Sequence, residues 1–118
     1  MSVLVAVPDS ADGTAALTAA VEEARMLRTD LVVVNIGLHP LDGSELPTDV
    51  PVTVVDRSGR GDRDPVVAVL DEIDGREVQR LVIGIRRRTP VGKAVFGSVS
   101  QRLLLESPVP VLAVKTPA

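Results

Sequence analysis

Between Gly84 and Ser98 the sequence collects the residue types that recognise an anion. Arg86, Arg87, Arg88 and Lys93 lie between two glycines, Gly84 and Gly97, and Ser98 follows the second. Guanidinium groups pair bidentately with phosphate oxygens. A glycine and a hydroxyl at the start of a helix leave free N–H groups and the positive end of the dipole facing the same ligand. The chemistry on offer is phosphate recognition. The same residues also admit a plainer reading: Gly84 as a turn residue, Ser98 as an N-cap and the arginines as a solvated charge run. Residue types and spacing alone leave both open.

No other stretch competes. Gly92-Lys93 lacks the upstream glycine of a P-loop, since Arg87 stands five residues before Gly92, and Ala94 replaces the required Ser or Thr. His39 is the single histidine, with no second ligand at metal spacing. Ser10 has no neighbouring base, and Asp9 and Asp12 read as turn and cap residues. The tripeptide Arg60-Gly61-Asp62 is read as a chance match to an adhesion motif. With no cysteine, disulfides, thiolate nucleophiles and cysteine metal sites are excluded. The sequence therefore yields no nucleophile–base pair and no metal cluster, and catalysis is not expected.

The run Leu81-Val82-Ile83-Gly84, the basic segment Ile85 to Phe96, Gly97-Ser98-Val99-Ser100 and the tail Ser107 to Val114 together resemble the C-terminal signature of the universal stress protein family. That signature is Gly, two residues, Gly, nine residues, Gly, then Ser or Thr, followed by a helix and a last strand. Gly84, Gly97 and Ser98 fall at its spacing, while Arg87 replaces the middle glycine. The resemblance implies an adenine nucleotide alpha hydrolase-like, Rossmann-type fold with strand order 3-2-1-4-5. It also implies that an adenine nucleotide, ATP in many members, is held through Gly84, Gly97, Ser98 and the Val99 amide. Arg86 and Arg87 join this phosphate-side set as candidates. On the adenine side it implies the backbone of Ile36 and an aspartate at the end of the first strand. Here Pro8 occupies that position and Asp9 comes one residue late. A left-handed conformation at Arg87 would cost roughly 1–2 kcal/mol, and its side chain either fills the phosphate space or binds the phosphate.

The elements that must position these residues follow from periodicity. Val3 to Val7 is a continuous apolar run, too short for a helix, and reads as a buried strand. After Pro8 and a capping turn, Leu17, Ala20, Ala24 and Leu27 recur at helical spacing, which predicts a helix over 13–28. Leu31 to Ile36 is a second strand. The segment Gly37 to Asp49 has neither period and reads as loop where the resemblance implies a helix, leaving part of the sheet less covered. Val50 to Val55 is a third strand, placed at an edge by Pro51. Asp64-Pro65 is an N-cap and first-turn pair for a helix that Gly75 stops. A strand ending at Gly84, a helix opening near Gly97 and a last strand over 109–114 complete an open, mostly parallel five-stranded sheet with helices on both faces. Ligands of such sheets sit beyond the strands' carboxyl ends, where strand order reverses. That places the crevice between strands one and four.

The 118 residues, 45% hydrophobic and 25% charged, are expected to form a single domain over 1–118. A net charge of -3 and one aromatic residue, Phe96, argue against nucleic-acid partners. No apolar run approaches the roughly 20 residues of a membrane span, and the N-terminus has no signal-peptide pattern, so a cytoplasmic protein is expected. The apolar closing strand, at the sheet edge with nothing after it to cover it, predicts a homodimer. Three functions stay open: a stress-response module binding an adenine nucleotide or another phosphorylated ligand, a nucleotide-free dimeric module acting through protein contacts, and a slow nucleotide hydrolase, for which the sequence offers no base.

Overall fold

The computed structural model describes residues 1–57, 64–87, 94–95 and 97–116, with the side chains of Glu45, Arg87, Ala94 and Val95 left undescribed. Arg88, Lys93 and the Arg60-Gly61-Asp62 tripeptide therefore lie outside the described residues. The order of elements is β1 (Ser2–Val7), α1 (Ala11–Leu27), β2 (Asp30–Asn35), β3 (Val52–Asp56), α2 (Pro65–Asp74), β4 (Val78–Arg87), β5 (Ala94–Val95), α3 (Ser98–Glu106) and β6 (Val111–Lys115).

Five of the strands lie parallel in the order β3-β2-β1-β4-β6, and β5 pairs antiparallel with the far end of β4. This is the open α/β sheet expected from the alternating pattern. All of β1 is buried because helices cover both of its faces, which is why its sequence shows an unbroken apolar run instead of alternation. Val3, Val5, Leu31, Val33 and Val82 pack under Ala16, Leu17, Ala20 and Ala24 of α1. Leu4, Ala6, Val32, Val34, Leu81 and Ile83 pack under Val66, Val69 and Ile73 of α2 and Leu103 of α3. The alanines spaced four apart give α1 a thin face, so its axis lies close to the sheet.

Between β2 and β3 there is no α-helix, only a 3-10 turn at Gly43–Glu45. Leu41, Leu46 and Val50 from this connection pack against the α1-side core and replace part of a helix's cover. The cover is incomplete at β3, where Thr53 and Val54 are exposed. Asp64 caps α2 by accepting from the Val66 N–H at 2.8 Å, and Gly75 ends it.

Two local expectations need correction. The strand does not stop at Gly84: β4 runs on through Arg87. Ile85 pairs with Lys115, and Arg86 and Arg87 pair with Val95 and Ala94. These ladders hold the arginines in extended backbone that their charge run does not announce. Arg87 accordingly avoids the left-handed region, since Arg28 is the sole non-glycine with positive φ among the described residues. The N-cap of α3 is Gly97, and Ser98 is its first helical residue.

Candidate functional site

The carboxyl ends of β1, β2 and β4 and the N-termini of α1 and α3 enclose a cleft of about 570 Å³. Its floor is apolar: Ala6, Ile83, Ile85 and Leu103 are buried beneath it. Its position between β1 and β4 follows from topology, because the chain leaves β1 toward β2 on one side and β4 continues to β6 on the other. Gly84, Arg86, Gly97, Ser98, Val99, Ile36 and Asp9 all line this one cavity. Of the predicted site residues, Arg87 alone has an undescribed side chain.

Gly84 and Gly97 do different work. A Cβ on Gly84 would overlap the Asp12 carbonyl oxygen and stand 3.0 Å from that residue's carbonyl carbon and Cβ. Gly84 therefore lets the first turn of α1 lie directly on β4, which is a packing requirement. A Cβ on Gly97 would meet nothing within 4 Å among the described residues. With φ -71 and ψ 170, Gly97 also has an ordinary extended backbone. Neither crowding by the described residues nor backbone conformation requires a glycine there. The space above Gly97 is open to the cleft, and glycine brings no side chain to cap the first amides of α3.

The start of α3 is fixed by Ser100, whose hydroxyl donates to the Gly84 carbonyl at 3.1 Å. On the other bank, Arg86 Nε donates to Asp12 Oδ2 at 2.9 Å. Asp12 belongs to the first turn of α1, where the helix dipole already favours a carboxylate. Arg86 is thus held at the mouth of the cleft in an ion pair, a partner the sequence did not reveal.

The third wall is the chain leaving β2. Asn35, 1% exposed, organises it: Oδ1 accepts from the Gly37 N–H at 3.0 Å, and Nδ2 donates to the His39 carbonyl at 2.8 Å and to Asp56 Oδ1 at 2.9 Å. Asp9 Oδ2 accepts from the Leu38 N–H at 2.7 Å and lies 3.0 Å from His39 Nδ1. The Leu38 N–H, with His39 beside it, holds the Asp9 carboxyl below the usual carboxylate range. The Ile36 N–H donates to the Val7 carbonyl at 3.0 Å, and the Ile36 carbonyl accepts from Arg57 Nε at 2.8 Å. Both backbone groups of Ile36 thus have partners within the chain. Asn35 and Arg57 shape this wall, and neither was among the predicted site residues. The sole signal for Asn35 was a polar residue inside an apolar strand run.

Among the described residues no three His, Cys, Asp or Glu side chains gather as metal ligands. Among the described residues no helix is long and apolar enough to cross a membrane.

The model of the universal stress protein family matches residues 47–115, which span β3 to β6 and include the whole β4–α3 bank of the cleft. The chain belongs to the universal stress protein family. A universal stress protein of Mycolicibacterium smegmatis is 37% identical to it, over 95% of this chain and 97% of that one. Among solved structures, the universal stress protein from Archaeoglobus fulgidus superposes with a TM-score of 0.69 at 27% identity, covering 98% of both chains. The structure of the universal stress protein from that organism in complex with dAMP gives a TM-score of 0.64 at 22% identity, again over 98% of both. The universal stress protein fold is thereby shown, with a 3-10 turn between β2 and β3 in this chain.

Proposed function

We propose that this universal stress protein binds a nucleotide or similar phosphorylated small molecule in the β1/β4 cleft, with a phosphate on the N-terminus of α3. The observation that carries the reading is the open space over Gly97, beside the first amides of a helix that bring no side-chain cap of their own. Gly84, Gly97, Ser98 and Val99 form the phosphate bank, with Arg86 at the mouth. Ile36 and Asp9 stand on the opposite wall. The dAMP complex of the A. fulgidus protein supports a nucleotide of the adenine class, ATP included, as the first ligand to test. The test is an amide NMR titration of the full chain with ATP, with inorganic phosphate in parallel. The Gly97, Ser98 and Gly84 amides are expected to shift first. Saturating shifts confined to other surfaces would reject the site.

A second reading, a homodimer that works through protein contacts, is favoured by the geometry of β6. Its residues Val111 to Val114 are half-buried, and β6 pairs with β4 on one side. The Pro110 carbonyl accepts from the Leu81 N–H, and the Thr116 N–H donates to the Ile85 carbonyl. Even-numbered backbone groups therefore face β4, and those of Val111, Ala113 and Lys115 face the open edge. An antiparallel copy of β6 about a twofold axis would satisfy them. This interface is compatible with ligand binding, since the cleft lies at the strands' carboxyl ends.

A further inference from the structure

The wall of the cleft formed by the chain leaving β2 has its hydrogen-bond donors engaged before any ligand arrives. The Ile36 N–H donates to the Val7 carbonyl at 3.0 Å, the Gly37 N–H to Asn35 Oδ1 at 3.0 Å and the Leu38 N–H to Asp9 Oδ2 at 2.7 Å. These are three consecutive backbone donors, and each has its partner within the chain. Two carbonyls are engaged as well: that of Asn35 accepts from the Arg57 N–H at 3.0 Å, and that of Ile36 from Arg57 Nε at 2.8 Å. The side chains that hold the donors are fixed in turn. Asn35 is buried and also donates to the His39 carbonyl and to Asp56 Oδ1. The Asp9 carboxylate is packed against Gly37, where a Cβ would overlap it. The surface this wall turns to the cleft is apolar at Pro8, Ile36 and Leu38, and Leu38 keeps 63% of its surface exposed.

One base is told from another by the donors and acceptors on its edge. Each base sets a donor beside an acceptor, so a backbone that reads it must answer with an acceptor beside a donor. With the N–H groups of residues 36–38 engaged, a carbonyl at this turn can meet a ring amine by one bond and not by a pair. Freeing one of those N–H groups costs the bond it makes now. The Ser10 hydroxyl also lines the cleft and does not cap α1. A hydroxyl, however, rotates to donate or accept and suits either kind of edge. Contact with the face of the ring is open to every base, since all have one. A pocket that offers only apolar contact separates similar ligands weakly.

We infer that the cleft does not read the base: it takes a nucleoside 5′-phosphate by the phosphate and lays the ring, purine or pyrimidine alike, on the apolar wall of Pro8, Ile36 and Leu38. The inference rests on the reading that a phosphate sits at the start of α3, and it deepens that reading by setting the breadth of ligands the site accepts.

The test is calorimetry on the full chain, freed of bound nucleotide, with 5′-AMP, 5′-GMP, 5′-CMP and 5′-UMP in parallel, each followed by amide NMR. All four are expected to bind within about fivefold of one another, with the Gly97 and Ser98 amides shifting in every titration; a base edge read by a paired contact would separate them by about 5- to 150-fold. Ribose 5-phosphate, which has no ring, is expected to bind more weakly than all four. Asp9→Asn tests the wall itself. A carboxylate that reads an exocyclic amine would lose AMP and CMP selectively, whereas one that only holds the Leu38 N–H should change all four affinities by the same factor. Should that variant melt early, the wild-type panel decides alone. A spread of more than about fivefold among the four nucleotides overturns the inference, as does an Asp9→Asn variant that weakens AMP or CMP alone. Either result leaves the phosphate site standing where the Gly97 and Ser98 amides still shift. Ribose 5-phosphate that binds as tightly as the nucleotides takes the ring off the wall and overturns the inference too. If no nucleotide binds and those amides stay still, the phosphate reading falls and the inference with it.

Discussion

Replacing each of the two glycines, Gly84 and Gly97, by alanine separates a packing glycine from one that faces the open cleft. At Gly84 the new methyl would collide with the Asp12 carbonyl at the start of α1. The obstacle is backbone, so no rotamer change relieves it; α1 must lift from β4 or the end of the strand must twist. Small-to-large changes of this kind cost about 1–3 kcal/mol. For a domain of 118 residues, that lowers Tm by roughly 3–15 °C. The shift should carry Arg86 away from Asp12 as well, since the pair bridges the same two elements at 2.9 Å. At Gly97 the methyl would enter open space on an ordinary backbone. Alanine there gains about 0.4–1 kcal/mol from a less flexible unfolded chain. It loses a similar amount as a poorer N-cap than glycine. Gly97→Ala should therefore melt within about 3 °C of wild type, yet weaken any ligand seated against the first amides of α3. Thermal melts followed by circular dichroism, with a ligand titration on each variant, measure both effects. A Gly84→Ala protein that melts like wild type would refute the close approach of α1. A Gly97→Ala protein as unstable as Gly84→Ala would refute the open space above α3.

The dimer on β6 predicts a mass near twice the 12.4 kDa chain by light scattering. Ala113→Pro, which removes a donor directed away from β4, should give a folded monomer; a wild-type monomer at high micromolar concentration rules the interface out. Acid should destabilise the domain, because Asp9, Asp42, Asp49 and Asp64 have pKa values lowered in the fold by hydrogen bonds from Leu38, Ser44, Arg25 and Arg102 respectively. A depressed carboxyl pKa stabilises above the unfolded value and loses that contribution as pH falls through the folded one, so Tm should drop below about pH 4. Asp64→Asn should flatten that drop, and an unchanged acid profile would contradict the Arg102 and Val66 contacts.

The sheet was legible because its central strands are covered on both sides. Val3 to Val7 and Leu31 to Ile36 could not be amphipathic helices at that length, and the turn and cap residues between the runs marked the boundaries. The departures came where a residue's role is set by a partner far away in sequence. Gly84 looks like a terminator because glycine often is one, but its cause is Asp12, more than seventy residues earlier. Arg86 and Arg87 look like loop for a nearer reason, because the strand they pair with, Ala94–Val95, is too short to show a period. Asn35 was visible as an odd polar residue, though its three partners were not. Arg57 gave no signal at all, being one charge before a turn; only the fold brings its guanidinium onto the Ile36 carbonyl. The β4–α3 bank is built within one continuous stretch, so its residues could be grouped from spacing. The opposite wall joins β1, β2 and β3 across three separate segments, so its chemistry emerges only when the strands are laid side by side. The β4–α3 bank of the cleft is thus written locally in the sequence, and the opposite wall is written in tertiary contacts.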